Sequence, residues 1–294
     1  MGTGKMPPLT FLSRQLYRRA VNHVTSEING KDLERSAVVF APHPDDETLG
    51  CGGTIIRKKR AGADVKIVFM TDGGKSHTGL ISEKELKVIR AKEGLAASQS
   101  LGLNARDVFF LEFEETKLSE HLDSATDRVA EILQQQQPEK VFIPYYKEPL
   151  LWSEDHLATN RVVVSALQML RSRITIYEYP IWFWRQWPWV SVPIAIHRET
   201  CTILKDSLVS GLGLRLLRDF RCSVFIGDVL ELKRAALDQY KSQMTRLIAD
   251  PRWLTLSDVS NGEFLACFFQ EHEIFRRYSL PENTNKRQVA DVSI

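Results

Sequence analysis

The chain has 294 residues, 43% hydrophobic and 26% charged, the proportions of an ordinary globular protein, and its length fits one large α/β domain or two small ones. With 39 basic against 37 acidic residues and a net charge of +2, no whole-molecule field singles out nucleic acid or another polyanion. Cys51, Cys201, Cys222 and Cys267 are scattered and form no C-x-x-C pair, which argues against a zinc ribbon or disulfide framework and fits a reducing compartment.

Residues 1–35 are polar and basic and are expected to form an extension or helix outside the main domain. Leu12, Leu16 and Val21 fall roughly on one side of a helix that also carries Arg14, Arg18 and Arg19. Two readings follow, a helix packed on the domain, which is preferred, and a membrane-surface anchor. The arginines interrupt the nearest apolar stretch, so a secretory signal is not expected. Nor does any run of about 18 apolar residues occur. The expected address is cytoplasmic, peripheral to a membrane if the anchor reading holds.

From residue 36 strands and helices alternate. Ala37–Ala41 is an apolar run of the kind buried in a parallel strand, and Thr48 to about Arg60 reads as a helix closed by Gly62. Val65–Met70 is a second strand, followed by a helix over about Ser82–Leu101 that stops at Gly102. Val108–Leu111 is a third strand and Leu122–Gln136 a helix; Val141–Ile143 is a fourth, with a helix from about Asp155 to Leu170, and Ile174–Tyr177 is a fifth. This alternation predicts a Rossmann-like, doubly wound and mainly parallel sheet, strand order 3-2-1-4-5, with helices on both faces. After residue 180 the rhythm fails. Residues 182–189 hold four of the six tryptophans, short runs at 192–196 and 222–226 suggest edge strands, and Glu231–Ile248 reads as one long helix. Residues 281–294 read as a polar tail, leaving 36–280 as a single domain with C-terminal additions.

Ligands bind open parallel sheets at the carboxyl ends of strands, where the order reverses. The first strand runs into His43-Pro44-Asp45-Asp46-Glu47, and the fourth is followed by Trp152-Ser153-Glu154-Asp155-His156. In the order 3-2-1-4-5 these strands are neighbours, so the two polar clusters meet. Two imidazoles and a carboxylate leave a coordination position open for water, as catalytic zinc sites do. A further carboxylate serves as proton acceptor. Spacing does not say which aspartate takes which part.

The segment Ala41-Pro42-His43-Pro44-Asp45-Asp46-Glu47-Thr48-Leu49-Gly50-Cys51-Gly52-Gly53 resembles the opening motif of the LmbE-like, or PIG-L, de-N-acetylases. Further matches follow in order: Thr71-Asp72-Gly73, Arg90 with Glu93 leading to Leu101-Gly102, Asp155-His156, Lys233-Arg234-Ala235-Ala236-Leu237 and Ser242-Gln243. The resemblance covers roughly residues 36–245. It implies His43, Asp46 and His156 as metal ligands and Asp45 as general base. It also implies zinc as the usual ion, with ferrous iron or another divalent metal compatible, and an N-acetylglucosaminyl conjugate as substrate.

Two departures from the family pattern bear on the chemistry. Ser153 stands where a histidine is common, and Tyr240 precedes Lys241-Ser242-Gln243 where another is frequent. His77, in the loop after the second strand, is the expected substitute for the first; the plainer reading is an exposed loop histidine. Arg90 is a substrate-binding candidate, set against a helix-face ion pair with Glu93. Gly50, Gly52 and Gly53 miss the G-x-G-x-x-G spacing and fit close helix–sheet packing better. The tryptophans at 182–189 are assigned to core or lid, with a sugar platform or a membrane or glycolipid contact, aided by Arg14, Arg18 and Arg19, as alternatives. Rival functions are a metal- or glycan-binding protein without turnover and a nucleotide-binding oxidoreductase.

Overall fold

A strand buried on both faces needs apolar side chains at every position, and Ala37–Ala41 meets that condition with all five residues buried at the middle of the sheet. The computed structural model describes residues 8–149, 154–171, 174–192 and 198–280. Its strands are β1 (Ser26–Glu27), β2 (Ala37–Ala41), β3 (Val65–Thr71), β4 (Val108–Phe113), β5 (Lys140–Pro144), β6 (Thr175–Tyr179), β7 (Cys222–Phe225) and β8 (His272–Ser279). They form one sheet in the order β1-β7-β8-β6-β5-β2-β3-β4. From β4 to β6 all pairs are parallel, reproducing the expected 3-2-1-4-5 order; β8 joins antiparallel to β6 and β7. The order reverses between β2 and β5, which are directly paired.

The helices are α1 (Pro8–Val24), α2 (Gly30–Glu34), α3 (Asp46–Arg60), α4 (Glu83–Ser100), α5 (Leu122–Gln136), α6 (Glu154–Met169), α7 (Arg198–Val209), α8 (Leu214–Asp219), α9 (Leu230–Leu237), α10 (Lys241–Met244) and α11 (Glu263–Ala266). Alternate residues of β2 serve opposite layers. Val39 and Ala41 join a core with Ile55, Ile67 and Phe69; Val38 and Phe40 join another with Val129, Val163 and Val141. This is one α/β domain with a mainly parallel sheet. Among the described residues no helix is long and apolar enough to cross a membrane.

The glycines after the first motif are packing residues. A Cβ at Gly53 would lie 2.5 Å from Ile226, and one at Gly50 would collide with the Tyr179 ring. Close approach of α3 to the sheet therefore explains them, as expected.

Three expectations need correction. The long helix over 231–248 is broken: α9 ends at Leu237 and a turn leads into α10. That break lets Tyr240 bury completely and donate to Glu47 Oε1 at 2.7 Å, a contact a continuous helix would not make. β8 was not foreseen, because its exposed half, Arg276 to Ser279, lacks an apolar run. α1 does pack on the domain, but by another face. Arg14, Tyr17 and Val21 point inward, Arg14 Nε donating to Pro188 O at 3.2 Å and Nη2 to Trp189 O. Leu12 and Leu16, 56% and 64% exposed, point out. Trp184 and Trp189 are buried and meet edge-on at 4.9 Å, Trp187 is half-buried, and half-buried Trp182 stacks on Phe264. The 182–189 run is thus a packed corner beneath α1. Arg14 belongs to that packing and is not the free surface charge the membrane reading required. The 281–294 tail and most of 192–196 lie outside the described residues.

Candidate metal centre

β2 ends at Ala41, and the chain turns through Pro42, His43 and Pro44 into α3. Asp45, at the helix entry, has φ +133°, a conformation costly for a residue with a Cβ and one that persists only where surroundings enforce it. Arg90, reaching across from α4, supplies that enforcement. Its Nη2 donates to Asp45 Oδ2 at 3.1 Å and to Pro44 O, while Nη1 reaches Gly73 O at 3.5 Å. Gly73 makes the passage for it: φ is +64°, and a Cβ there would come within 2.9 Å of the Arg90 side chain.

Asp46, next in the turn, points the other way. Its Oδ2 accepts from His43 N at 3.0 Å, lies 3.2 Å from His43 Nδ1 and sits 3.3 Å from His156 Nε2. His156 enters from the first turn of α6, on the neighbouring strand's connection. One donor atom each from His43, Asp46 and His156 lies within 4.8 Å of the others. The second imidazole is fully buried, yet neither of its ring nitrogens makes a hydrogen bond. Buried polar atoms are nearly always satisfied, so an orphan imidazole beside a carboxylate and a second imidazole fits a metal-ligand role. Burial pushes His156 down to about 4, keeping the ring neutral, as a ligand must be.

Asp155 has a different task from its neighbour. Its Oδ2 is 3.0 Å from His43 Nε2 and accepts from Thr116 N at 2.7 Å, while Oδ1 accepts from Leu118 N at 3.2 Å. The carboxylate is fixed by the loop after β4 and in turn fixes the His43 ring, leaving Nδ1 on the side of Asp46. Such a carboxylate–imidazole pair orients a metal ligand. Sequence reasoning placed Asp155 in the second polar cluster without giving it this task. Glu115 was missed altogether: its Oε1 lies 3.9 Å from His43 Nε2, and its Oε2 accepts from Lys75 N. The available signal was its position just past the third strand, at the same edge of the sheet.

Charge balance follows from these contacts. Burial raises the Asp45 carboxyl well above its usual range, opposed by the Arg90 guanidinium and reinforced by Asp46. For Asp46 burial acts in the same direction, but His156 and His43 hold it below its ordinary value. Burial raises Glu47 to about 7 against the hydrogen bonds of Thr48, Tyr240 and Asp45 N. These bonds direct Glu47 away from a role as alternative base.

Arg90 pairs with Asp45 and not with Glu93 as a helix-face ion pair would; Glu93 instead accepts from Ser242 N at 2.8 Å and Oγ at 2.6 Å. At 2% exposure Arg90 is placed to hold Asp45, not to meet substrate. His77 is also buried. Its Nε2 bonds Leu254 O at 3.0 Å, its Nδ1 pairs with Ser76 Oγ at 3.1 Å, and the ring stacks on Trp253 at 4.0 Å. With both nitrogens engaged, the side chain serves the loop instead of standing free to protonate a leaving group. Ser153 lies outside the described residues.

A doubly wound sheet with a histidine–aspartate–histidine cluster at its switch point defines a Rossmann-like fold that gathers donors able to hold a metal ion. Residues 38–167 match the family model described as PIG-L, GlcNAc-PI de-N-acetylase. The diacetylchitobiose deacetylase of Thermococcus kodakarensis is 29% identical over 123 residues, 42% of this chain and 44% of that protein. A probable N-acetyl-alpha-D-glucosaminyl L-malate deacetylase of Bacillus cereus is 31% identical over 154 residues, 51% of this chain and 66% of the relative. The structure of N,N'-diacetylchitobiose deacetylase from Pyrococcus horikoshii, at 21% identity, superposes with a TM-score of 0.60 over 94% of both chains and shares the fold. Residues 38–167 are thus similar to the PIG-L (LmbE-like) family, and curated deacetylases are among the chain's relatives. Its matched stretch spans less than half of the first of these curated relatives and 66% of the second.

Proposed function

We propose that this protein hydrolyses the acetamido group of an N-acetylated amino sugar, free or in a glycoconjugate, with a divalent metal held by His43, Asp46 and His156. One observation carries the reading. Within the stretch matched to the de-N-acetylases, three metal-type donors converge beside Asp45, a carboxylate gripped by a buried arginine. The relatives named as deacetylases of diacetylchitobiose and of an N-acetylglucosaminyl malate point to the same class of substrate.

When bound, the ion supplies Lewis-acid polarisation of the acyl oxygen and acidifies water; zinc is the preferred ion, and ferrous iron suits the same donors. The rest falls to the chain. Asp155 keeps the His43 ring in register, and Arg90 holds Asp45 through Oδ2, leaving Oδ1 to take the proton of the attacking water. One proton of the water then passes by way of Asp45 to the departing nitrogen and the other stays with the new carboxyl until it transfers to the released amine, so acetate and an ammonium group leave. That route needs no histidine at position 153. The work is assigned to residues 36–280, on which residues 8–35 pack, adding β1 to the sheet and Val21, Ile28 and Leu33 to the core.

The test is acetate release from N-acetylglucosamine, diacetylchitobiose and an N-acetylglucosaminyl glycoside. The expected result is turnover of at least one, suppressed by dialysis against a chelator and restored by added zinc. Metal-loaded, folded protein that releases acetate from none of them would overturn the reading.

A further inference from the structure

We propose that the outward surface of α1 and the α7–α8 corner docks on a lipid bilayer carrying anionic headgroups. This proposal does not depend on the deacetylase reading.

Leu12 and Leu16, four residues apart, form an apolar row on the solvent side of α1. A second row leaves the end of α7 and continues through the turn: Leu208 (70% exposed), Val209, Leu212 and Leu214. The two rows meet. Tyr17 Oη donates to Leu212 O at 2.6 Å, and Gly213 packs so tightly that a Cβ would lie 3.2 Å from the Tyr17 ring. Aliphatic side chains gathered this way on one corner mark an interaction surface.

The charge at its rim selects the partner. No acidic residue precedes Glu27, and α1 exposes Arg18 and Arg19; α7 adds exposed Lys205 and α8 half-buried Arg215. α7 and α8 carry three acids, Glu199 beside Arg198 at the start of α7 and the half-buried Asp206 and Asp219, the last held by Arg218 at 2.8 Å and by Tyr145 at 2.5 Å. The chain as a whole carries only +2, so the basic character is local. A second copy on the same face would bring like charges together, whereas an anionic bilayer complements the leucines and the cations at once.

Placement adds a consequence. α1 rests on the segment that leaves the carboxyl end of β6, and Asp219 of α8 bonds Tyr145, just beyond β5. The docking face therefore adjoins the edge of the sheet that carries His43 and His156, and binding there brings that edge toward the headgroup layer.

The experiment is co-sedimentation of the full chain with vesicles of phosphatidylcholine alone and of phosphatidylcholine mixed with phosphatidylserine. Wild type is expected to pellet with the mixed vesicles, less so at raised salt. Leu16→Glu/Leu208→Glu should weaken this by about tenfold or more, and Arg19→Glu/Lys205→Glu by a similar factor on mixed vesicles only. Both variants alter exposed side chains, so their melting transitions and acetate release from a soluble substrate should match wild type. Wild type left in the supernatant with both vesicles would overturn the proposal, as would undiminished binding by the leucine or the charge variant. A wild-type dimer in light scattering that the leucine variant dissolves, without vesicle binding, would assign the surface to a second copy instead.

Discussion

Asp45→Asn is expected to keep its metal and to lose about 10²–10⁴-fold in kcat, the usual worth of general-base catalysis. The amide is nearly isosteric with the carboxyl, and its oxygen still accepts from Arg90 Nη2, so the strained turn at φ +133° has its anchor. What disappears is the capacity to take a proton. Asp46, whose Oδ2 lies within 3.3 Å of both imidazoles, is untouched, and metal content should remain that of wild type. Two neighbouring carboxylates are committed elsewhere: Glu47 is bonded to Tyr240, Thr48 and Asp45 N, and Asp155 to His43, Thr116 and Leu118; Glu115, with Oε1 3.9 Å from His43 Nε2, is the nearest alternative. Steady-state kinetics beside metal analysis makes the check. Near wild-type turnover in the variant would remove Asp45 from the role of base.

Lys233→Met is expected to destabilise the fold by about 3–5 kcal/mol, the cost of breaking a buried ion pair from one side. Lys233, at 1% exposure, donates to Glu273 Oε1 at 2.7 Å and to Leu49 O at 2.8 Å. Glu273 in turn accepts from Gly53 N at 2.8 Å and from Thr54 N at 2.7 Å. The pair thus ties α9 and β8 to the middle of α3, the helix whose first turn carries Asp46. Removing the ammonium leaves a carboxylate buried without its counter-charge. Glu273→Gln should also be costly, since one amide oxygen cannot serve the lysine and two backbone donors together. Denaturant titration reads the outcome as a lowered midpoint. The double variant should lose clearly less than the sum of the singles, because each removes the same interaction. Additive losses would show that the two side chains act independently.

The convergence of His43, Asp46 and His156 was legible because it depends on strand order more than on side-chain detail. An apolar run ending in His43-Pro44-Asp45-Asp46 and another followed by Asp155-His156 become neighbours as soon as the sheet is wound 3-2-1-4-5. The supporting residues were not legible in the same way. Asp155 turns to His43 because amides of Thr116 and Leu118, on a loop about 40 residues earlier, hold it there. Arg90 meets Asp45 and not Glu93 because Glu93 is already engaged by Ser242, more than a hundred residues later. His77 offered the right chemistry in the right loop, but Trp253 and Leu254 O occupy it. In α1 the apolar pattern suggested an inward leucine face; carbonyls of Pro188 and Trp189 drew Arg14 inward instead and turned Leu12 and Leu16 out. Each miss is a long-range hydrogen-bonding demand that overrode a local pattern.

Metal content is the most direct measure of whether His43, Asp46 and His156 together bind a catalytic divalent ion. Elemental analysis of the purified wild-type chain and of the His43→Ala, Asp46→Ala and His156→Ala variants, each checked for folding by circular dichroism, decides it. About one divalent ion per wild-type chain is expected, as a single site of this donor set holds, with a sharp loss in every folded variant. Full metal occupancy retained in all three variants would contradict it.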